Sequence, residues 1–338
     1  MAGVVNVSVE RLVALGAEIF EAFGVAPDDA TPLARHFIRA EAQGNVSHGV
    51  VRILYRAKQF AAGKANPRPR IVFSEASGVV KAQADGGIGP LVAERMLERL
   101  VEPSRNQAVT LGIAAETGTM GALGVMARDI AERGMVGLIL QRTDPFMSLN
   151  GVPSIGNNPF AFAAPLAGAD PIVFDMANSV VARGVIEMSA KSGAPIPEGW
   201  ALDARGEPTT DAAQALAGAL LPAGAHKGLC MALMVECLTR GLAADLEPAA
   251  SQRRWPLAVS ALFVVVNPEL CGATTYRETM ARWSAEYVGK GGKIPGHAGA
   301  AKERESVARG VDLGPAGVNA LREAATLAGL SPDIVPSS

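Results

Sequence analysis

The spacing of the apolar residues changes near residue 70, and this change constrains the fold more than any other feature of the sequence. Before it, apolar residues recur every three or four positions, as on one face of an α-helix. In the first segment these residues are Leu12, Leu15, Ile19 and Phe23. The pattern predicts three helices. The first stops at Gly24, the second is capped by Asp29 or Thr31, and the third begins at Ser47.

From residue 71 the apolar residues come in short runs bounded by glycine, proline or asparagine, which predict strands. These runs are GVVKAQA, AVTLGIAA, MVGLILQ, PFAFAAP, PIVFDMA and ALFVVVN. Helical segments lie between them, and two more, ETMARWSAEYVG and GVNALREAATLAGL, close the chain. The order of helices, then mixed segments, then helices predicts an α/β (α+β) protein.

The composition excludes several classes of function. The net charge is −2, aromatic residues make up 5% of the chain, and lysine and arginine form no run. Neither a nucleic acid nor an anionic membrane surface is therefore expected as a partner. The longest apolar run has about ten residues, too few to span a bilayer. The first residues lack the basic region and cleavage site of a signal peptide, so a cytoplasmic location is expected.

The three cysteines do not form a recognisable pattern. Cys230, Cys237 and Cys271 are odd in number and irregular in spacing, which argues against a disulfide framework. The first two lie in an apolar, helix-like segment and are predicted to be buried free thiols. No histidine falls at zinc-ligand spacing to them, so no metal site is predicted.

A dinucleotide fingerprint of the Rossmann type is absent. Gly87 and Gly89 begin such a motif, but the third glycine is missing. The turn ETGTMGALG, residues 116–124, opens a helix after a strand, where free backbone N–H groups can bind a phosphate. The alternative is that its glycines allow tight packing of the helix against the strand.

The segment EAQGNVSHGVVR carries the sharpest candidate for catalysis. His48 is one of four histidines and is predicted at a helix N-terminus, with Ser47 as the cap. A histidine poised near neutral pH can pass a proton to a forming alkoxide or amine. Arg52 follows one turn later and suits a substrate carboxylate bidentately. The alternative is a surface histidine beside a solvated arginine.

Other polar residues are weaker candidates. Lys227, next to His226 at a predicted helix start, opposes the helix dipole and so invites an anionic partner, unless it is simply solvated. Asp175 follows a buried-looking strand, where either a site residue or a turn residue is common. His36 lies inside an amphipathic helix and is predicted to be structural, whereas His297, in a glycine-rich loop, stays open.

Several of these segments together resemble the type 2 malate/L-lactate dehydrogenase family. They are GNVSHGVVR, SIGNNPFAFAAP, PIVFDMANSVVARGVI, LPAGAHKGLCMALMVECL and IPGH, in the family's order and spacing. The family includes ureidoglycolate and sulfolactate dehydrogenases and the Δ1-piperideine-2-carboxylate/Δ1-pyrroline-2-carboxylate reductases. The resemblance implies a non-Rossmann fold with a mainly antiparallel sheet in the cofactor domain. It also implies a helical domain built from residues 1–70 with 275–338, a cofactor domain over residues 71–274 with helical insertions, and a homodimer.

The same resemblance implies the site residues. His48 becomes the proton donor with Ser47 in its relay, Arg52 holds the substrate carboxylate, and Asn157 stands in the substrate loop. NADPH or NADH is the implied cofactor. The implied cofactor contacts are Thr117, Gly118, Thr119, Asp175, Met176, Ala177, His226, Lys227, Gly296 and His297.

Four positions depart from the family pattern. Thr119 stands where a histidine is usual, Asn157 where a threonine is usual, and His297 where a glutamate is usual. Val185 replaces an aspartate of the imine-reducing members, and Glu187 is near but out of register. Reduction of a small 2-oxo acid to a 2-hydroxy acid is therefore the leading hypothesis. The alternatives are a cyclic imino acid reductase and a cofactor-binding paralogue with weak or no dehydrogenase activity.

Overall fold

The computed structural model describes residues 4–248 and 254–336. The helices are α1 (Val9–Ala22), α2 (Pro27–Ala42), α3 (Val51–Ala61), α4 (Gly89–Ser104), α5 (Leu123–Glu132), α6 (Arg183–Ser192), α7 (Ala212–Ala217), α8 (His226–Glu236), α9 (Tyr276–Gly289), α10 (His297–Arg309) and α11 (Pro315–Leu327). The strands are β1 (Val5–Val7), β2 (Val72–Ala76), β3 (Val79–Gln83), β4 (Val109–Thr117), β5 (Val136–Gln141), β6 (Phe160–Leu166), β7 (Ala169–Met176), β8 (Ala201–Leu202), β9 (Pro208–Thr209), β10 (Ala219–Leu220), β11 (Val259–Val266) and β12 (Val311–Leu313).

A seven-stranded sheet forms the centre of the molecule, in the order β2-β3-β4-β11-β5-β6-β7. All neighbours are antiparallel except β3 and β4. The six predicted apolar runs are β3 to β7 and β11, so the strand predictions are confirmed. The predominance of antiparallel pairs also confirms a non-Rossmann sheet, because the Rossmann fold is built from parallel strands.

Helices cover both faces of this sheet. On one face, α4 and α5 bury side chains such as Met96 and Ile130 against Phe263 of β11. On the other face, Val235 of α8 packs with Leu140 and Leu262. The central strands β4, β5 and β11 are therefore mostly buried on both faces, and their sequences are continuous apolar runs. Strands β3 and β7 instead alternate between buried and more exposed positions.

Both ends of the chain share one helical core. Leu12, Phe20 and Phe37 from the N-terminal helices pack with Leu321 of α11, and β1 pairs with β12. This arrangement confirms the helical unit formed by both chain ends. The boundaries at residues 70 and 275 stay a prediction.

Helix starts differ from the predictions. The second helix begins at Pro27 rather than beside Asp29 or Thr31, because Pro27 sits at the first helical position and pre-sets its backbone angle. The third begins at Val51, and the preceding residues Val46–His48 form a 3-10 turn. Ser47 therefore does not cap a helix, and His48 lies in the turn before α3.

The prediction of buried cysteines is wrong. Cys230, Cys237 and Cys271 are free thiols, but all three are exposed. Helix α8 buries only Gly228, Ala232 and Val235, so its apolar sequence leaves a second apolar face outside.

His36 is buried within α2, as predicted for a structural histidine. Burial, and then the charge of His48, lowers the pKa of His36 from 6.5 to about 3. The unfolded chain therefore binds a proton at His36 before the folded protein does, and stability falls as pH drops from about 6.5 towards 3.

Replacement of His36 by leucine is expected to weaken this acid sensitivity. The difference in unfolding free energy between pH 7 and pH 4 should shrink by about 3 kcal/mol. Urea unfolding of both proteins at the two pH values measures it. The same pH dependence in H36L and the parent protein would show that His36 does not titrate on unfolding.

Candidate active site

A cleft of about 340 Å³ opens between the helical unit and the sheet. Four of the predicted site residues line it: His48, Arg52, Thr119 and Asn157. The cleft therefore brings together residues from α3 and the turn before it, from the turn before α5 and from the loop before β6. Polar groups of both charge signs face one another across it.

His48 is held by a short hydrogen-bonded relay. The Ser47 hydroxyl donates to Asn45 Oδ1 at 3.1 Å, and the Ser47 oxygen lies 3.0 Å from His48 Nδ1. Because the hydroxyl proton is already given to Asn45, Nδ1–H donates to the Ser47 oxygen. This tautomer leaves Nε2 as the nitrogen that is free to exchange a proton.

Glu41 fixes the turn that carries His48. From the end of α2 its buried carboxylate accepts a hydrogen bond from the Val50 N–H at 2.9 Å. Glu41 also lies so close to Gly49 that a β-carbon there would stand 1.8 Å from its Oε2. A side chain at position 49 would therefore clash with the Glu41 carboxylate, which explains the glycine of the Ser-His-Gly sequence. This role of Glu41 was not predicted from the sequence.

Arg52 points into the same cleft and is held from three sides. Its Nε donates to the Ser47 carbonyl at 2.8 Å, and Nη1 lies 3.9 Å from Glu187 Oε2. A β-carbon on Gly184 would come within 2.4 Å of Nη2, so the guanidinium occupies the space that a side chain there would need. Glu187, out of register in the sequence, reaches the cleft and faces Arg52 rather than His48.

The cleft keeps His48 neutral at pH 7. Burial, followed by the positive charges of Arg52 and Arg56, lowers the pKa of His48 from 6.5 to about 4. Among the described residues, no carboxylate forms an ion pair with the imidazole. A bound carboxylate at Arg52 would offset one of the two charges that hold this pKa down.

The opposite wall of the cleft is a loop network. Thr143 donates from its hydroxyl to Asn157 Oδ1 at 3.0 Å, which orients the Asn157 amide. Gln141 accepts from Met120 N–H at 2.9 Å and donates to the Gly118 carbonyl at 3.3 Å. These bonds hold the turn before α5 against the end of β5.

Several cleft residues were not found from the sequence. They are Tyr55, Arg56, Gln141, Thr143, Asp144, Phe146 and Arg183. Arg56 had a usable signal, because it lies four residues after Arg52 and so on the same face of a helix. The others come from segments distant in the chain, and no local spacing marks them.

Of the residues expected at the cofactor only Thr119 lines the cleft, and Asp175 and Gly296 lie outside it, beside β7. Asp175 accepts from Gly124 N–H at 2.9 Å, so its carboxylate occupies the N-terminus of α5. The turn before α5 was the candidate phosphate-binding site, and in this structure the Asp175 side chain occupies it. Gly296 lies against Val173 of β7, and its carbonyl accepts from Arg128 of α5 at 2.9 Å.

The N-terminus of α8 carries Lys227, the residue predicted to bind an anion. Its N-cap, Ala225, has φ +53 and gives no side-chain hydrogen bond. The N–H groups of Lys227 and Gly228 donate to the carbonyls of Gly224 and Ala223, at 3.2 and 2.8 Å. His226 and Lys227 are its first two residues. The turn before them bonds to the segment after β7, where Ala223 N–H donates to the Asn178 carbonyl at 2.8 Å.

The remaining predicted contacts take other places. Thr117 is buried at the end of β4, Met176 is the exposed last residue of β7, and Ala177 follows it. His297 is not in a loop: it is the first residue of α10, and its Nε2 lies 2.9 Å from the Asp170 carbonyl. The prediction that His297 lies in a loop was wrong because α10 is polar and has no apolar face by which a helix could be recognised.

Two kinds of feature do not occur in residues 4–248 and 254–336. No three histidine, cysteine, aspartate or glutamate side chains gather where they could hold a metal ion. No helix there combines the length and apolar character that crossing a bilayer needs.

Known proteins resemble this chain over most of its length. The (2R)-3-sulfolactate dehydrogenase (NADP(+)) of Chromohalobacter salexigens is 36% identical over 238 residues, 70% of this chain and 72% of that protein. A Δ1-pyrroline-2-carboxylate reductase of Pseudomonas fluorescens is 35% identical over 254 residues, 74% of this chain and 76% of that protein. The crystal structure of Δ1-piperideine-2-carboxylate reductase from Pseudomonas syringae superposes with a TM-score of 0.86 at 29% identity, covering 95% of this chain and 99% of that one.

A family model described as malate/L-lactate dehydrogenase matches residues 7–322. This match takes in the sheet, every residue of the cleft and most of the helical unit formed by the two chain ends. The resemblance noted from the Ser-His-Gly, Asp-Met-Ala and His-Lys segments is thereby confirmed, and the chain belongs to the malate/L-lactate dehydrogenase family.

Proposed function

We propose that this protein is an NAD(P)H-dependent oxidoreductase that reduces a small 2-oxo acid to the 2-hydroxy acid. The observation that carries the proposal is that His48 and Arg52, a proton donor and a carboxylate clamp, line one cleft. The relatives named above are dehydrogenases and reductases of small carboxylates, which agrees with this chemistry.

The residues of the cleft divide the reaction between them. Arg52 binds the substrate carboxylate with two parallel N–H bonds and so fixes the adjacent C2 carbonyl beside His48. The nicotinamide cofactor, when bound, supplies the hydride that reduces C2. As the carbonyl electron pair moves to oxygen, His48 gives that oxygen its proton and becomes neutral. Ser47 accepts from Nδ1 throughout and keeps Nε2 directed to the reaction.

The protonation state of His48 in the ligand-free protein determines what must happen before the reduction. With a pKa of about 4, the imidazole carries no proton at pH 7 in the ligand-free protein. It is ready to accept a proton from a 2-hydroxy acid, but it must take one up before it reduces a 2-oxo acid. Neutralisation of Arg52 by the substrate carboxylate favours that uptake.

A cyclic imino acid is the second candidate substrate. It presents a planar C=N beside a carboxylate, so Arg52 and His48 serve it in the same way. Relatives named as Δ1-pyrroline-2-carboxylate reductases favour this reading. Val185, in place of the aspartate of the imine-reducing members, favours the 2-oxo acid.

A substrate panel tests the proposed activity. NADPH and NADH are titrated into the purified protein by nucleotide fluorescence, and 2-oxo acids and cyclic imino acids are then added while absorbance is followed. Turnover of a member of the panel is expected. Nucleotide binding without turnover of any member would instead establish the inactive, cofactor-binding paralogue.

The cofactor is proposed to lie along the group at the end of β7, with a phosphate at the N-terminus of α8. The charge of Lys227 and the positive end of the α8 dipole suit an anion, whereas Asp175 fills the start of α5. Thr117, Gly118, Thr119, Met176, Ala177, His226, Gly296 and His297 complete the proposed contacts. The nucleotide's reactive end then reaches the cleft past Thr119.

Replacement of Lys227 by methionine is expected to raise the Kd for NADPH about tenfold, since a charge-assisted bond to phosphate is lost. Fluorescence titration measures it. Lys191→Met, on the exposed last turn of α6, removes the same charge outside the site and serves as control. An equal, small effect of the two variants would remove Lys227 from the cofactor site.

We propose further that the protein is a cytoplasmic homodimer. The outer faces of α8 and α9 expose large apolar side chains, including Met231, Leu233, Trp283 and Tyr287. Apolar surface of this kind is typical of subunit interfaces. Sedimentation equilibrium distinguishes a dimer from a monomer.

We also propose the domain boundaries: a helical domain of residues 1–70 with 275–338, and a cofactor domain of residues 71–274.

A further inference from the structure

A second cavity, of about 210 Å³, lies where α2, α4 and α5 meet. No described residue lines both this cavity and the cleft, and the reaction described above uses none of the residues around it. Its apolar wall consists of Pro32, Pro90, Val125 and Met126, drawn from the three helices. Pockets for drug-sized ligands have volumes of about 300–1,000 Å³, so this cavity suits a smaller molecule.

Three charged side chains of this cavity form no ion pair with any residue in the described part of the chain. Glu94 of α4 is half-buried, whereas Arg35 of α2 and Arg133, directly after α5, are exposed. Burial, and then the charges of Asp129 and Glu98, raise the pKa of Glu94. The charges of Arg133 and Arg35 lower it, so both guanidiniums lie near the carboxylate without contacting it. A gap thus separates opposite charges across the cavity.

The other charged groups of the cavity already have partners. Arg39 forms ion pairs with Asp129, Glu132 and Glu303, the last at 2.7 Å. These carboxylates and Arg39 therefore neutralise one another, and the charges that a ligand can pair with are those of Glu94, Arg35 and Arg133.

His36 adds an unsatisfied neutral group to the wall of the cavity. Only 7% of the residue is exposed, and its buried Nε2 has no hydrogen-bond partner among the described residues. With its pKa lowered to about 3, the imidazole carries no charge at pH 7. Buried polar groups in proteins usually have a partner, so this nitrogen is a second sign that the cavity lacks a polar ligand.

A ligand with one charge of each sign fits these groups best. A phosphate or a simple carboxylate would be attracted by Arg35 and Arg133 but repelled by Glu94, and a simple cation would meet the reverse. We propose that this cavity binds a small α-amino acid with an apolar side chain, its carboxylate on the two arginines and its ammonium group on Glu94. The apolar side chain then packs on Val125 and Met126. This inference does not depend on the proposed function.

Three related molecules test this assignment by calorimetric titration. L-valine carries both charged groups, 3-methylbutanoate lacks the ammonium group, and isobutylamine lacks the carboxylate. L-valine is expected to bind about tenfold more tightly than either of the others, since each of them loses a charge-assisted contact. Equal affinities for the three molecules, or no measurable binding of L-valine, would overturn the assignment.

Variants of the cavity locate the bound amino acid. Glu94→Gln is expected to raise the Kd for L-valine about tenfold and to remove its advantage over 3-methylbutanoate. Arg35→Gln should raise that Kd about threefold, because the residue is exposed and Arg133 remains. Glu98→Gln, one turn further along α4 and outside the cavity, removes the same charge as E94Q and should leave the Kd within about twofold. Thermal unfolding shows whether each variant is folded, and equal effects of E94Q and E98Q would overturn the assignment.

Binding in the cleft is the competing explanation, because Arg52 there can also hold the carboxylate of an amino acid. The titration is therefore repeated with saturating NADP⁺ and oxalate, a small dicarboxylate expected to occupy Arg52. The affinity for L-valine should be unchanged. Loss of L-valine binding in the presence of oxalate, together with an unaltered Kd in E94Q, would place the amino acid in the cleft and refute the second site.

Discussion

Replacement of His48 by alanine is expected to lower kcat by about 10²–10⁴-fold, the usual contribution of a positioned proton donor. No other imidazole lines the cleft among the described residues, so nothing there replaces the lost group. Steady-state rates at saturating nucleotide and substrate measure the effect. The Kd for NADPH should stay within about twofold, because the proposed cofactor contacts lie around β7 and α8.

The pH dependence distinguishes a proton-transfer role from a structural one. In the direction of 2-hydroxy acid oxidation His48 acts as a base, so its neutral form is required. With the lowered pKa, activity should persist through mildly acidic pH and be lost only as pH falls towards about 4. Replacement of Ser47 by alanine should weaken catalysis without abolishing it, since Ser47 only holds the tautomer. Near-parent kcat in H48A would remove His48 from the reaction.

Replacement of Arg52 by lysine is expected to raise KM for the acid substrate about 10²-fold while kcat changes much less. Lysine keeps the positive charge but cannot form two parallel bonds to a carboxylate. It also leaves empty the space beside Gly184 that the guanidinium occupies. Initial rates over a wide range of substrate concentration measure KM.

Lys58→Gln is a matched control for this change, because Lys58 lies on α3 and pairs with Glu323. Its KM should equal that of the parent protein. A KM for R52K within twofold of the parent value would show that the substrate carboxylate binds elsewhere.

The sequence was sufficient for the elements whose apolar pattern is long or dense. The six predicted strands are present because each is a dense apolar run bounded by turn residues. Strands of two or three residues, such as β1 and β8, have too few positions to show a period. Helix α10 was missed because residues 297–309 bury only Ala300 and Ser306.

The candidate site was partly readable for a similar reason. His48 and Arg52 are four residues apart, so local spacing predicts that they share a site, and both line the cleft. The prediction that Ser47 caps α3 was wrong: Val50 precedes the helix, and its N–H donates to Glu41 at the end of α2. Glu187 reaches Arg52 only through the packing of α6 beside α3, and Gln141 reaches the Gly118 loop only through the sheet. Contacts of this range depend on tertiary structure, which local spacing does not encode.

The most direct test is a crystal structure of the protein with NADP⁺ and oxalate, an unreactive analogue of a 2-oxo acid. One oxalate carboxylate is expected on the Arg52 guanidinium, with His48 Nε2 within about 3 Å of an oxygen on the neighbouring carbon. The nicotinamide C4 should face that carbon at about 3–3.5 Å. Oxalate bound away from Arg52, or a nicotinamide ring outside the cleft that holds His48, would contradict the assignment of both residues.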